Sequence, residues 1–210
     1  NYKFKASEEK PFHIYCDDFD ENGSWDIVLA KELGKDMVPV RGRQCSSDQM
    51  PFIEDKFPTY NAFANAGLTD IYGEELGAAL HYEANQFASG IWENTGNGFT
   101  FHAFPPEAQF SAIRDIVVMD IDKDGRKDIV AAGNLYQSER ETTRADASYG
   151  IILKNNGNLK FTPLPWTDTG WFVPGDVRDL ELIEGDDAIR IIVASNNSPL
   201  RSYRFNPVVQ

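Results

Sequence analysis

The sequence predicts a mainly β fold assembled from repeats and interrupted once by a helical insertion. Three observations carry this. Two acidic loops of one pattern each sit between strand-like runs, two Asn-Gly hairpins follow them, and an excursion of about 41 residues separates the first loop, but not the second, from its hairpin.

The clearer loop lies in IRDIVVMDIDKDGRKDIVAAGN, residues 113–134. Asp115 to Met119 is apolar and β-branched, as is Ile129 to Ala132, so both read as strands. Between them Asp120, Asp122, Asp124, Gly125 and Asp128 form D-x-D-x-D-G-x-x-D. Alternate residues of a curled loop face one side, and Gly125 permits the sharp bend. Four carboxylates so close repel one another without a cation, and an all-oxygen set suits calcium better than zinc or copper. The expected ligands are Asp120, Asp122, Asp124 and Asp128, with Arg126 giving its backbone carbonyl. A helix-loop-helix calcium site would need a Glu at the twelfth position. That position is Ala131, inside an apolar run, so the loop joins two strands.

The first copy is IYCDDFDENGSWDIVLA, with Asp18, Asp20, Asn22, Gly23, Ser24 and Asp26 at matching offsets. His13 to Asp17 is the expected strand before it and Ile27 to Ala30 the strand after it. Two calcium ions are therefore expected. Further upstream, Tyr2 to Lys5 alternates like a strand and Glu8 to Pro11 reads as a turn.

The hairpins are IWENTGNGFTFHAF, with Asn94, Gly96, Asn97 and Gly98 at its turn, and ILKNNGNLKFTPLP around Asn155. Each repeat is thus expected to supply four strands, a pair around the acidic loop and a pair around the Asn-Gly turn. The repeats fall at about 12–104, 113–165 and 176–206 in one domain spanning 1–210. In the third, Asp179 aligns with Asp115, but the loop has decayed. Glu184, Gly185, Asp186 and Asp187 are acidic without a following Gly-x-x-Asp, and Arg190 falls near the place of Asp128, so no calcium is expected there.

The insertion, about 41–89, reads as helical. Thr59 to Ala66 suits a short helix stopped by Gly67. Thr69 can cap a second, with Leu76, Leu80, Ala84 and Phe87 as its buried face. Long excursions from a regular scaffold tend to carry function, and Arg41, Arg43, Cys45, Ser46, Ser47, Asp48 and Gln49 lie close together, with His81 within possible reach. Turn and capping roles account for these residue types more simply, and no catalytic residue is assigned.

The loop pattern D-x-D-x-[DN]-G-x-x-D-[IL]-V, followed by an apolar strand and an N-x-G-x-x-F hairpin, resembles the FG-GAP or VCBS repeats of integrin-like β-propellers and of many secreted bacterial proteins. RGRQCSSDQMPF also resembles a segment of bacterial cell-surface VCBS proteins related to those carrying the UnbV/ASPIC module. The resemblance covers about three-quarters of the chain. It implies four-stranded β-propeller blades with calcium between the first two strands, in a secreted or cell-surface protein, with an outer-membrane anchor as one arrangement. Three repeats are too few for the 4–8 blades of a closed propeller. The expectation is therefore a piece of a larger propeller, or self-association through open edges.

Composition bounds the partners. The formal charge is −13 from 33 acidic and 20 basic side chains, with no basic cluster interleaved with aromatics, so nucleic acid is not expected. No run approaches the ~20 apolar residues that span a bilayer. Cys16 and Cys45 have no metal-finger spacing and read as a disulfide or as free thiols, the second being favoured. Trp166, Trp171 and Phe172 read either as a sugar-stacking surface or as packing at the end of a sheet, the second favoured by the large area each buries. His13 and His102 read as isolated residues, not zinc ligands. A calcium-stapled module binding a protein or glycan is the expected function. The alternative is part of a polysaccharide hydrolase or lyase, which needs converging carboxylates outside the calcium loops.

Overall fold

The computed structural model describes residues 4–138, 142–185 and 188–205. Of the expected strand at Tyr2–Lys5, only Phe4 and Lys5 are described, and neither is in a strand; Asp186 and Asp187 lie outside the described residues. The described chain is mainly β, in four antiparallel sheets, and none of these closes into a barrel. Two compact units divide after Phe87.

In the N-terminal unit, β1 (Phe12–Asp17) and β2 (Asp26–Leu33) pair antiparallel around the first acidic loop, with Asp17 opposite Asp26. β3 (Asp36–Pro39) folds back onto β2. Four short helices follow: α1 (Arg43–Gln49), α2 (Phe52–Lys56), α3 (Tyr60–Ala64) and α4 (Leu68–Tyr72). Their shortness is written in the breakers. α1 and α2 stop just ahead of Pro51 and Pro58, because a residue before proline is driven out of the helical region. α4 stops at Gly73, whose φ of 71° no helix accommodates. Thr59 caps α3 through Ala62 N–H, as expected from its position.

The second expected helix is cut short, its start taken by α4 and a 3-10 turn that ends at Gly77. Gly73–Gly77 is a single 3-10 turn, and Leu80–Ala84 is a strand, β4, paired antiparallel with β1. Leu80 and Phe87 are exposed and Leu76 is half-buried, so the expected helical apolar face is absent. The helical spacing of four apolar residues was outweighed by two glycines and by the unpaired edge of β1, which β4 covers. The sheet order is β3-β2-β1-β4. Its register sets His13 opposite Glu83 and Tyr15 opposite His81, so His13 is not the isolated residue that the sequence suggests.

The helices cover one face of this sheet. Val28 and Ala30 of β2 pack with Met50, Ile53, Phe63, Leu68 and Ile71. Arg43 ties α1 to α2 through Nε to Phe57 O (2.6 Å) and Nη2 to Glu54 O (3.3 Å), which lets a buried guanidinium keep its hydrogen bonds.

The C-terminal unit opens with the hairpin β5 (Gly90–Asn94) and β6 (Phe99–Ala103), a sheet of its own rather than the second half of a four-stranded group with β1 and β2. The second repeat does assemble as one sheet: β7 (Asp115–Met119), β8 (Asp128–Ala132), β9 (Ile151–Asn155) and β10 (Phe161–Leu164) lie in the order β10-β9-β8-β7. Every residue of β8 is buried, as a continuous apolar central strand should be. After the helical turn α5 (Trp166–Thr169), the third repeat forms a three-stranded sheet of β11 (Val177–Glu184), β12 (Ile189–Ser195) and β13 (Arg201–Phe205).

The core of this unit lies between these two sheets. Val117, Val130 and Ile152 from the first meet Leu180, Ile191 and Val193 from the second, with Trp171 fully buried among them. Its indole N–H donates to Ala131 O at 3.2 Å. Asn134, also buried, donates to Ser148 O and Gly175 O and accepts from Ser148 N–H, so the exit of β8 is clamped with every amide bond made.

Candidate metal centres

The two acidic loops adopt one backbone conformation. Glu21 and Gly23 in the first, and Lys123 and Gly125 in the second, all have positive φ. These left-handed residues curl the chain so that successive N–H groups point inward at the first aspartate. Asp18 accepts from Asn22 N–H (2.9 Å) and Gly23 N–H (2.8 Å). Asp120 accepts from Asp124 N–H (3.1 Å) and Gly125 N–H (2.9 Å). Asp20 and Asp122 share those same Asn22 and Asp124 N–H groups, each accepting at 3.3 Å. Asn22 Oδ1 takes Ser24 N–H, and Asp124 Oδ1 takes Arg126 N–H. The repetition of this network bond for bond is the local content of the repeat.

The two loops differ in what lies across them. In the first, Asp18, Asp20 and Asp26 converge, with one carboxylate oxygen of each within 4.8 Å of the others. Asp26 is 3% exposed. Its Oδ1 accepts from Gln49 Nε2 at 3.0 Å, which α1 carries across the loop, while Oδ2 is buried with no hydrogen-bond partner. Burial pushes the Asp26 carboxyl up from its ordinary range, the Asp20 and Asp18 carboxylates push the same way, and the Gln49 amide and the Phe19 backbone N–H oppose them. Asn22 and Ser24, expected as ligands, are exposed and bonded to each other.

In the second loop, Asp120, Asp122 and Asp124 converge. Asp128 gives both oxygens to the backbone, accepting from Ile121 N–H (2.9 Å) and Asn155 N–H (2.8 Å). Two cations of the protein itself sit on the cluster. Lys154 Nζ bonds Asp122, and Arg126 Nη2 bonds Asp124 while its Nε donates to Asn155 O at 2.9 Å. The Lys154 contact holds the Asp122 carboxyl below its ordinary range and raises the Lys154 ammonium in turn.

Gln49 and Lys154 were not legible as members of these sites, since nothing near either residue resembles the loop. Cys16 and Cys45 are not joined in a disulfide, and both are half-buried. The expected approach of His81 to the Arg41–Gln49 segment is replaced by its place on β4, stacked against Tyr15.

A second feature lies in the C-terminal unit. Trp171 is core, as favoured, but Trp166 and Phe172 are exposed; Phe172 stacks on Tyr149 and meets Trp166 at a tilt of 52°. Tyr149 and Trp166 border an open groove of about 350 Å³, lined also by Phe110, Pro163 and Pro165, in which Glu107 is the one carboxylate among the lining residues. Compared with known proteins, the chain matches no family model and no curated sequence. No helix among the described residues is long and apolar enough to cross a membrane.

Proposed function

We propose that this chain is a calcium-binding recognition module, built from β-propeller-type blades, that belongs to a secreted or cell-surface bacterial protein and binds a glycan or protein partner. The observation that carries the metal reading is Asp26 Oδ2, a buried oxygen with no hydrogen-bond partner, on a carboxylate that groups with those of Asp18 and Asp20. Leaving such an oxygen unpaired costs about 1–3 kcal/mol, more when charged. A hard divalent cation supplies the missing partner and removes the mutual repulsion of the three acids. Asp18, Asp20 and Asp26 would hold it in the first loop. Asp120, Asp122 and Asp124 would hold a second, weaker ion, because Lys154 and Arg126 must first move off them.

The role of the metal in this reading is to staple loops, not to do chemistry. The groove beside Tyr149 and Trp166 supports a glycan as the ligand, since exposed rings offer apolar faces to sugar rings. Its single carboxylate favours binding over hydrolysis, which takes a pair. Calcium titration of chelator-treated protein tests the reading. Two ions should bind and raise the melting temperature, and Asp120→Ala with Asp122→Ala should leave one. Protein that binds no calcium, with a melting curve indifferent to it, would refute it.

A further inference from the structure

The pairing of β4 with β1 builds a side-chain cluster that neither strand suggests alone. His13 lies opposite Glu83 and Tyr15 opposite His81, and residues two apart on a strand share a face. His13, Tyr15, His81 and Glu83 are therefore neighbours on one face. It is the face that carries Ala30, since His13 also pairs with Ala30 across β2, and Ala30 is core. This is why the His13 ring is buried while His81 and Glu83, on the edge strand, keep side chains 34% and 52% exposed.

The donor atoms meet closely. His13 Nδ1 is 3.0 Å from His81 Nε2 and 3.5 Å from Glu83 Oε1, and His81 Nε2 is 3.8 Å from Glu83 Oε1. A circle through three points so spaced has a radius of about 2.0 Å, the length of a zinc–nitrogen or zinc–carboxylate bond. A hydrogen-bonded triad accounts for less. One histidine pair is at bonding distance, but the carboxylate is at the outer limit from His13 and beyond it from His81. The orientation is also fixed before any ion arrives. Tyr15 stacks on His81 at 4.2 Å between centroids with planes 3° apart, and the two imidazoles are within 13° of parallel. Among the described residues His13 Nε2 is buried without a partner, so the polar anchor of this ring is on the side of the cluster.

We propose that His13, His81 and Glu83 form a site for one divalent cation of the zinc class, separate from the two calcium loops. Two imidazole nitrogens and one carboxylate oxygen make a set of intermediate softness, which calcium and magnesium bind poorly and zinc or cobalt bind well. Three protein ligands leave at least one coordination position, and the exposure of His81 and Glu83 opens it to water.

The test uses the whole chain, stripped of metal and then held in excess calcium so that the acidic loops cannot report. Zinc is titrated by calorimetry and cobalt by its visible absorption. One ion should bind per chain, with the absorption of a site containing nitrogen ligands. His81→Ala should weaken binding by about 100-fold or more, and Glu83→Gln by about tenfold, with far-ultraviolet circular dichroism unchanged. Both side chains lie on an exposed edge, and His81→Gln repeats the test should the alanine variant unfold. Asp18→Ala and Asp120→Ala should leave zinc binding as it was. The proposal fails if zinc does not bind in excess calcium. It fails equally if zinc binds as well to the folded His81 variants, or if His102→Ala, at the one remaining histidine, removes the binding.

Discussion

Replacing Asp26 by Asn separates the two roles of this buried carboxylate. In the metal-free protein, Asp26 Oδ2 is buried among acids with no donor. Asn keeps the Oδ1 acceptor for Gln49, puts an N–H2 where the orphaned oxygen was, and removes a charge from beside Asp18 and Asp20. Removing an uncompensated buried charge from beside two other acids is a gain of about 1–3 kcal/mol. For a chain of this size each kcal/mol moves Tm by roughly 2–4 °C, so Asp26→Asn should melt several degrees above the parent protein in chelator. In calcium the order should reverse. The parent gains about 2.7 kcal/mol when calcium is at 100 times Kd, and the variant loses the share of the first loop.

The same substitution has a pH signature. A carboxyl whose folded-state pKa is raised binds its proton more tightly in the folded protein. In chelator its destabilising effect is complete above that raised pKa, shrinks as pH falls toward the ordinary carboxylate value, and is gone below it. The parent and Asp26→Asn should therefore converge in stability as the solution is acidified through that window. Thermal melts in chelator and in calcium, repeated across mildly acidic pH, read both effects. A variant less stable than the parent in chelator, or one with an undiminished response to calcium, would overturn the assignment.

Lys154→Gln removes the ammonium from Asp122, so calcium should bind the second loop more tightly, by about tenfold by comparison with the parent in a titration of Asp18→Ala protein. In the absence of metal the lowered Asp122 pKa means stability that is present above the ordinary carboxylate value and lost as pH falls through the folded one; Lys154→Gln should flatten that acid limb in pH-dependent melts. Trp171→Ala should cost about 3–5 kcal/mol in denaturant unfolding, because it empties the centre of the C-terminal core and frees Ala131 O. Trp166→Ala, at an exposed ring, should change stability by less than about 0.5 kcal/mol while weakening retention on any glycan that the parent binds on an array.

The acidic loops were legible because all that shapes them lies within ten residues. Asp18 and Asp120 collect N–H groups from their own turns, and Gly23 and Gly125 mark the bends. The hairpin turns were legible for the same reason. What decides the difference between the loops is not local: Gln49 reaches Asp26 from 23 residues away, and Lys154 reaches Asp122 from 32. No offset pattern within a loop contains that information.

The region after Tyr72 shows a harder case, in which a local signal was present and pointed to the wrong period. Leu76, Leu80, Ala84 and Phe87 recur at helical spacing, yet the same stretch carries His81-x-Glu83, which answers His13-x-Tyr15 on β1 at a spacing of two. In a helix, residues two apart point about 200° away from each other, so His81 and Glu83 could not serve one site. In a strand they share a face, and pairing with β1 brings His13 Nδ1 within 3.5 Å of both. Gly73 and Gly77, which stop the helix, were the local cue that could have decided between the two periods. The chemistry of the cluster and the secondary structure of Leu80–Ala84 are thus one inference: metal binding that depends on both His81 and Glu83 is possible only for the paired strand, and a zinc titration of the two variants reads the fold of this segment as well as its ligand.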